Sequence, residues 1–139
     1  ANGSPCAQAV FCAFSDELGL DKDTALRISA GFGGGIGRLR EVCGAVSGMT
    51  MTLSYKFACT DPNDRQRKAA LYALIQRAAG EFKAETGSIV CRELLGLGGS
   101  STPVPEQRTE TYYKKRPCGE LVRLAADITE KYIKNGGEI

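Results

Sequence analysis

The chain has 139 residues, with six cysteines and no histidine, and its 18 lysines and arginines nearly balance 16 aspartates and glutamates. That length suits one domain able to bury roughly 70% of its unfolded-state surface, so the cysteines are not needed to staple an undersized core. Lack of histidine excludes Ser-His and Cys-His pairs, imidazole metal ligands and CxxCH haem attachment, and the interspersed charge lacks the basic footprint that nucleic acid requires.

Ser4-Pro5 reads as a helix start, a capping hydroxyl followed by proline at the first helical position. Ala7, Val10, Phe11, Phe14 and Leu18 then recur at helical spacing, predicting a helix over about 5–18 that ends at Gly19. A shorter helix follows Asp21 and reaches about residue 30, carrying Ala25, Leu26 and Ile28. Residues 31–37 hold five glycines, and at about 1 kcal/mol per glycine no regular helix tolerates that density. Beyond this loop, Leu39, Val42, Cys43, Val46, Met49, Leu53 and Phe57 predict a long third helix over about 38–57.

Pro62 lies in a break at 60–63. Leu71, Leu74, Ile75, Ala78 and Phe82 share one face of a fourth helix over 64–86, stopped by Gly87. Ser88 can cap a short fifth helix holding Ile89, Val90, Cys91, Leu94 and Leu95. Residues 96–116 form a polar excursion, including Tyr112-Tyr113 as a candidate partner contact, and loops of that length are usually functional. Pro117 starts a last helix with Leu121, Leu124, Ala125, Ile128 and Tyr132 on its apolar face. The expected fold is all-α, a single domain over 1–139 built as a compact bundle of five or six helices.

No run of 18 apolar residues occurs, so no membrane span is expected. The opening ANGSPC has neither the basic nor the apolar region of a secretory signal, and a cytoplasmic location is the expectation.

No two cysteines form a CxxC, which excludes zinc ribbons, typical ferredoxin runs and a thioredoxin-type motif. Cys6, Cys91 and Cys118 fall in the first turn of predicted helices and Cys43 in the second turn of another. Helix N-termini carry about half a positive charge and favour thiolate over thiol, and Arg38, Arg40, Arg92 and Arg116 lie near three of the four. Cys12 and Cys59 read instead as small buried hydrophobes. Gly44 and Gly48 share a helix face and form a smooth strip, suited equally to a cofactor or to close helix packing. The glycine loop fits no GxGxxG or GKS/GKT pattern, so Gly33, Gly34 and Gly35 suit a turn or a wall against a sulfur site better than a nucleotide cradle.

Cys6-Ala7-Gln8-Ala9-Val10, the run from Gly31 to Arg38, Cys43-Gly44-Ala45-x-x-Gly48, Cys91-Arg92-Glu93-Leu94-Leu95-Gly96 and Cys118 ahead of an apolar helix together resemble the C-GCAxxG-C-C family. The resemblance spans 6 to about 130, although the family's Gly-Cys-Ala stands here as Cys43-Gly44-Ala45. It implies a redox-active protein whose shared set is Cys6, Cys43, Cys91 and Cys118.

Four sulfurs without histidine suit an iron–sulfur cluster, with electron transfer to an unknown donor or acceptor, and this is the favoured expectation. The same set suits dithiol/disulfide cycling by an oxidoreductase. The alternative is a non-catalytic accessory protein with structural zinc, working beside a transporter. No carboxylate pair supports a conventional enzyme. The glycine strip suggests a homodimer.

Overall fold

In the computed structural model, the structure describes residues 6–96 and 118–138. Seven α-helices occur among them, joined by turns, with no strand: α1 Cys6–Ala13, α2 Ser15–Leu18, α3 Lys22–Ser29, α4 Gly44–Phe57, α5 Arg65–Thr86, α6 Cys91–Leu94 and α7 Cys118–Lys134. The all-α expectation holds. The excursion expected at 96–116 lies outside the described residues apart from Gly96.

The helix predicted over 5–18 is divided at Phe14, whose φ of −104° and ψ of 4° leave the helical region. Buried Ser15 explains the local economy of the break, since its hydroxyl donates to the Cys12 carbonyl at 2.9 Å. Asp21 caps α3, accepting from the Thr24 N–H at 2.9 Å and the Thr24 hydroxyl at 2.6 Å. Those bonds hold its carboxyl below the usual range. A 3-10 turn over Ala30–Phe32 then leads into the glycine loop.

The largest departure follows. The third helix was expected from about 38, yet α4 begins at Gly44 with Cys43 as its N-cap residue. Residues 34–38 all have positive φ, Ile36 and Arg38 included, and Arg40 does as well. A left-handed backbone cannot continue into a right-handed helix, and it costs a non-glycine residue about 1–2 kcal/mol. Residues 41–43 instead run beside residues 89–91, and Leu39 is 53% exposed rather than on a core face. The fifth helix is also shorter than expected: Ile89 and Val90 lie outside it, and α6 begins at Cys91.

Helix α4 sits at the centre, packed against α1, α5 and α7. The core joins Val10 of α1, Val46, Met49 and Leu53 of α4, Leu74, Ala78 and Phe82 of α5, and Leu121, Ala125, Ile128 and Tyr132 of α7. The apolar positions read from helical spacing are thus largely the ones that pack. Helix α1 packs tightly on α4, because a Cβ at Gly48 would stand 2.7 Å from the Ala7 carbonyl oxygen and 2.8 Å from the Val10 Cβ. The Gly44–Gly48 strip is therefore covered by the chain's own first helix, and it offers no bare surface on which to base a homodimer. No described helix is long and apolar enough to cross a membrane.

Candidate functional site

The site begins with two short backbone segments that meet far from their neighbours in sequence. Val42 and Val90 form an antiparallel bridge. On either side of it the Cys43 N–H donates to the Ile89 carbonyl at 2.7 Å and the Cys91 N–H donates to the Glu41 carbonyl at 2.6 Å. In this register Cys43 stands opposite Ile89 and Cys91 opposite Glu41. The two cysteines are diagonal neighbours on one face of the ladder, and such pairs stand roughly 7–8 Å apart.

The glycine loop supports this ladder from below. Gly34 and Gly35 accept at their carbonyls from the N–H groups of Arg40 and Glu41, at 3.1 and 2.9 Å. A Cβ on Gly35 would lie 2.7 Å from the Cys91 Cβ and 2.7 Å from the Glu41 nitrogen, so only glycine allows the loop to close on Cys91. Gly44 plays the matching part on the other side, where a Cβ would fall 3.0 Å from the Ala7 nitrogen and 3.2 Å from the Cys6 Cβ.

These approaches enclose a cavity of about 30 Å³ lined by Cys6, Cys43 and Cys91 together with Gly34, Gly35, Gly44, Arg40, Leu94, Leu95 and Leu121. It is room for roughly two waters. Cys43 and Cys91 are buried, 4% and 6% exposed, and Cys6 is half-buried. Three sulfurs from α1, the cap of α4 and the start of α6 thus share one apolar recess. Cys118 heads α7, and Leu121 from that helix's first turn reaches the same cavity.

Charge enters through Arg40. Its side chain is buried, 3% exposed, and its Nη1 donates to Cys91 Sγ at 3.7 Å. Arg92 lies outside the recess and braces the ladder: it forms an ion pair with Glu41 at 3.2 Å and donates from Nη1 to the Arg40 carbonyl at 3.2 Å. Glu41 thereby has a structural partner.

The expected site residues fall into groups. Cys6, Cys43, Cys91, Gly34, Gly35 and Gly44 line the cavity; Gly33 is in the loop but not among the lining residues, and Gly48 packs on α1. The side chain of Cys118 and Arg116 lie outside the described residues, as do Tyr112 and Tyr113. Cys12 and Cys59 do not reach the cavity, but neither is core filler, since both are only half-buried. Cys59 follows the end of α4, in the connection to α5, where its Sγ accepts from the Asp61 N–H at 3.4 Å. A hydrophobe would not take that bond, which accounts for its place outside the core.

Sequence reasoning placed arginines near the cysteines without finding the pairing of Arg40 with Cys91. No local signal carries it, because 51 residues separate the two. Cys43 is also a cap rather than an interior helix residue, Cys91 opens α6, and Cys6 and Cys118 are the first described residues of α1 and α7. Among the described residues, no three histidine, cysteine, aspartate or glutamate side chains are arranged to hold a metal ion.

The family model described as "Putative redox-active protein (C_GCAxxG_C_C)" matches residues 4–132. No curated protein and no solved structure matches the chain.

Proposed function

The chain belongs to the C_GCAxxG_C_C family, and we propose that it is a thiol–disulfide redox protein in which Cys43 and Cys91 cycle between dithiol and disulfide. One observation carries this reading: the two cysteines share a face of the 41–43/89–91 ladder and line the same cavity. Their expected separation lies just beyond the disulfide range of about 4.4–6.8 Å between Cα atoms, so closing the bond asks for a small backbone shift. A disulfide formed against such a shift is more easily reduced than a structural one, as a cycling bond must be.

The apolar lining and buried arginine suit this chemistry. Thiol–disulfide exchange passes negative charge between sulfurs, and a fixed cation in a poorly hydrated recess stabilises that charge more than it would in water. Cys6, across Gly44 from Cys43, is a third sulfur within the same recess.

A second reading is favoured by three motif cysteines, Cys6, Cys43 and Cys91, lining one cavity, with the fourth, Cys118, on α7, whose Leu121 lines it too. Cys6, Cys43, Cys91 and Cys118 would hold an iron–sulfur cluster, which supplies one-electron transfer when bound. The donor set fits in kind, and helix N–H groups suit an anionic cluster.

The test is anaerobic purification followed by iron and sulfide determination, thiol counting before and after a mild oxidant, and peptide mapping. A colourless protein that loses two thiols to a Cys43–Cys91 disulfide supports cycling. Stoichiometric iron and sulfide with visible absorbance supports the cluster instead. Thiols indifferent to oxidant in a metal-free protein would refute both.

A further inference from the structure

Two exchanging cysteines need not be equivalent, and the surroundings of Cys91 set it apart. Its sulfur receives a hydrogen bond from Arg40, a side chain taken almost wholly out of water. A guanidinium keeps its charge at any ordinary pH, so the positive charge beside Cys91 Sγ is permanent. The backbone fixes it there. The Arg40 N–H donates to Gly34, and its carbonyl accepts from both the N–H and the Nη1 of Arg92. Arg40 also holds a φ of +62°, an unfavourable conformation for a side-chain-bearing residue, which persists only where surrounding contacts impose it. Cys43 stands at the N-cap of α4.

Resting on the dithiol reading above, we infer that Arg40 is a positioning residue that makes Cys91 the attacking sulfur, with Cys43 resolving. The Cys91 thiolate attacks one sulfur of a small disulfide R–S–S–R, forming Cys91–S–S–R and releasing RS⁻. The Cys43 thiolate then attacks Cys91 Sγ, forming the Cys43–Cys91 disulfide and releasing the second RS⁻. The substrate disulfide gains two electrons, the two cysteines lose two, and the leaving thiolates take up the protons shed by the cysteines. Arg40 stabilises the charge on Cys91 before attack, and again when a reductant expels that sulfur in the return half of the cycle.

The probe is methyl methanethiosulfonate, which transfers a methylthio group, among the smallest thiol labels, to a thiolate and releases methanesulfinate. Peptide mapping of the full chain under anaerobic conditions follows each cysteine, with Cys59, in the loop outside the cavity, as internal reference. In Cys43→Ser the methylthio group is expected to accumulate on Cys91, faster than on Cys6. In the unsubstituted protein it should pass on to give the Cys43–Cys91 disulfide and methanethiol. Arg40→Met should slow labelling of Cys91 about tenfold or more, the loss expected for a charge-assisted hydrogen bond, with Cys59 unaffected. Arg40→Lys should recover part of that rate.

Labelling of Cys6 ahead of Cys91 in Cys43→Ser overturns the inference, as does an unchanged Cys91 rate in folded Arg40→Met. If circular dichroism shows Arg40→Met to be unfolded, Arg40→Lys decides: a slowed Cys91 with unchanged Cys59 supports the assignment, and an unchanged Cys91 overturns it. Selective, Arg40-dependent labelling of Cys91 with no subsequent disulfide in the unsubstituted protein would sink the cycling function while leaving Arg40's role standing.

Discussion

Gly35→Ala tests whether the glycine loop sets the geometry of the sulfur site. The new Cβ would stand 2.7 Å from the Cys91 Cβ, 2.7 Å from the Glu41 nitrogen and 2.9 Å from the Arg40 carbonyl carbon. Two of those three are backbone atoms, so no rotamer change relieves the clash. Overpacking of this kind costs about 1–3 kcal/mol. The φ of +71° adds about 1–2 kcal/mol for a residue with a Cβ. Together these predict a loss of roughly 2–5 kcal/mol, or about 8–20 °C in Tm at roughly 4 °C per kcal/mol for this chain length. The displaced Glu41 nitrogen also weakens its bond to the Gly35 carbonyl, the support beneath the ladder. Oxidation to the Cys43–Cys91 disulfide should therefore slow even at temperatures where the variant is folded.

Gly80→Ala is the control. It lies inside α5 with nothing within 4 Å of its would-be Cβ and should gain about 0.5–1 kcal/mol from helix propensity. The pair is read by thermal melts at several scan rates and by thiol counting during oxidation. A Gly35→Ala protein melting within about 2 °C of the parent, with an unchanged oxidation rate, would refute the argument.

Gly48→Ala should push α1 off α4 and lower stability by about 1–3 kcal/mol in denaturant titration, since its Cβ meets the Ala7 carbonyl oxygen. Phe82→Ala removes one of the largest fully buried side chains and should cost about 3–5 kcal/mol by the same measurement. Cys12→Ser and Cys59→Ser should leave the oxidation of Cys43 and Cys91 unchanged in peptide mapping, because neither reaches the cavity. The last prediction concerns pH. Burial raises the Glu81 carboxyl, but the bond from Lys131 at 2.6 Å helps to outweigh it, so the group lies below its ordinary value. Its contribution is then present at neutral pH and is lost as pH falls through the lowered value. Glu81→Gln should cost at most about 1 kcal/mol at pH 7, a difference shrinking towards zero below about pH 4 in melts across a pH series.

The helical periods of α5 and α7 were legible because their partners lie on one continuous face: Leu74, Ala78 and Phe82 on one, Leu121, Ala125, Ile128 and Tyr132 on the other. The same pattern misled over 38–43. Leu39, Val42 and Cys43 carry helix-like spacing, but the Leu39 N–H turns back to the Ile36 carbonyl, the Cys43 N–H crosses to Ile89, and the carbonyls of Arg40 and Glu41 accept from Arg92 and Cys91. A period records which side chains are apolar and says nothing about where the N–H groups find acceptors. Ile89 and Val90 were absorbed into a helix for the same reason.

The sequence by itself determined the helical class and the core faces, because helical spacing is a local property, and it singled out the cysteines as candidate reactive groups, because a chain without histidine has few others. It also marked Cys6, Cys43, Cys91 and Cys118 as a set through their motifs. Only the tertiary structure decided that three of these share a recess, that Cys43 and Cys91 are diagonal neighbours on one face of a ladder, and that Arg40 bonds Cys91. The last two relations join residues about 50 positions apart. They depend on a left-handed loop closing where two glycines lack a Cβ, a distance no local pattern encodes.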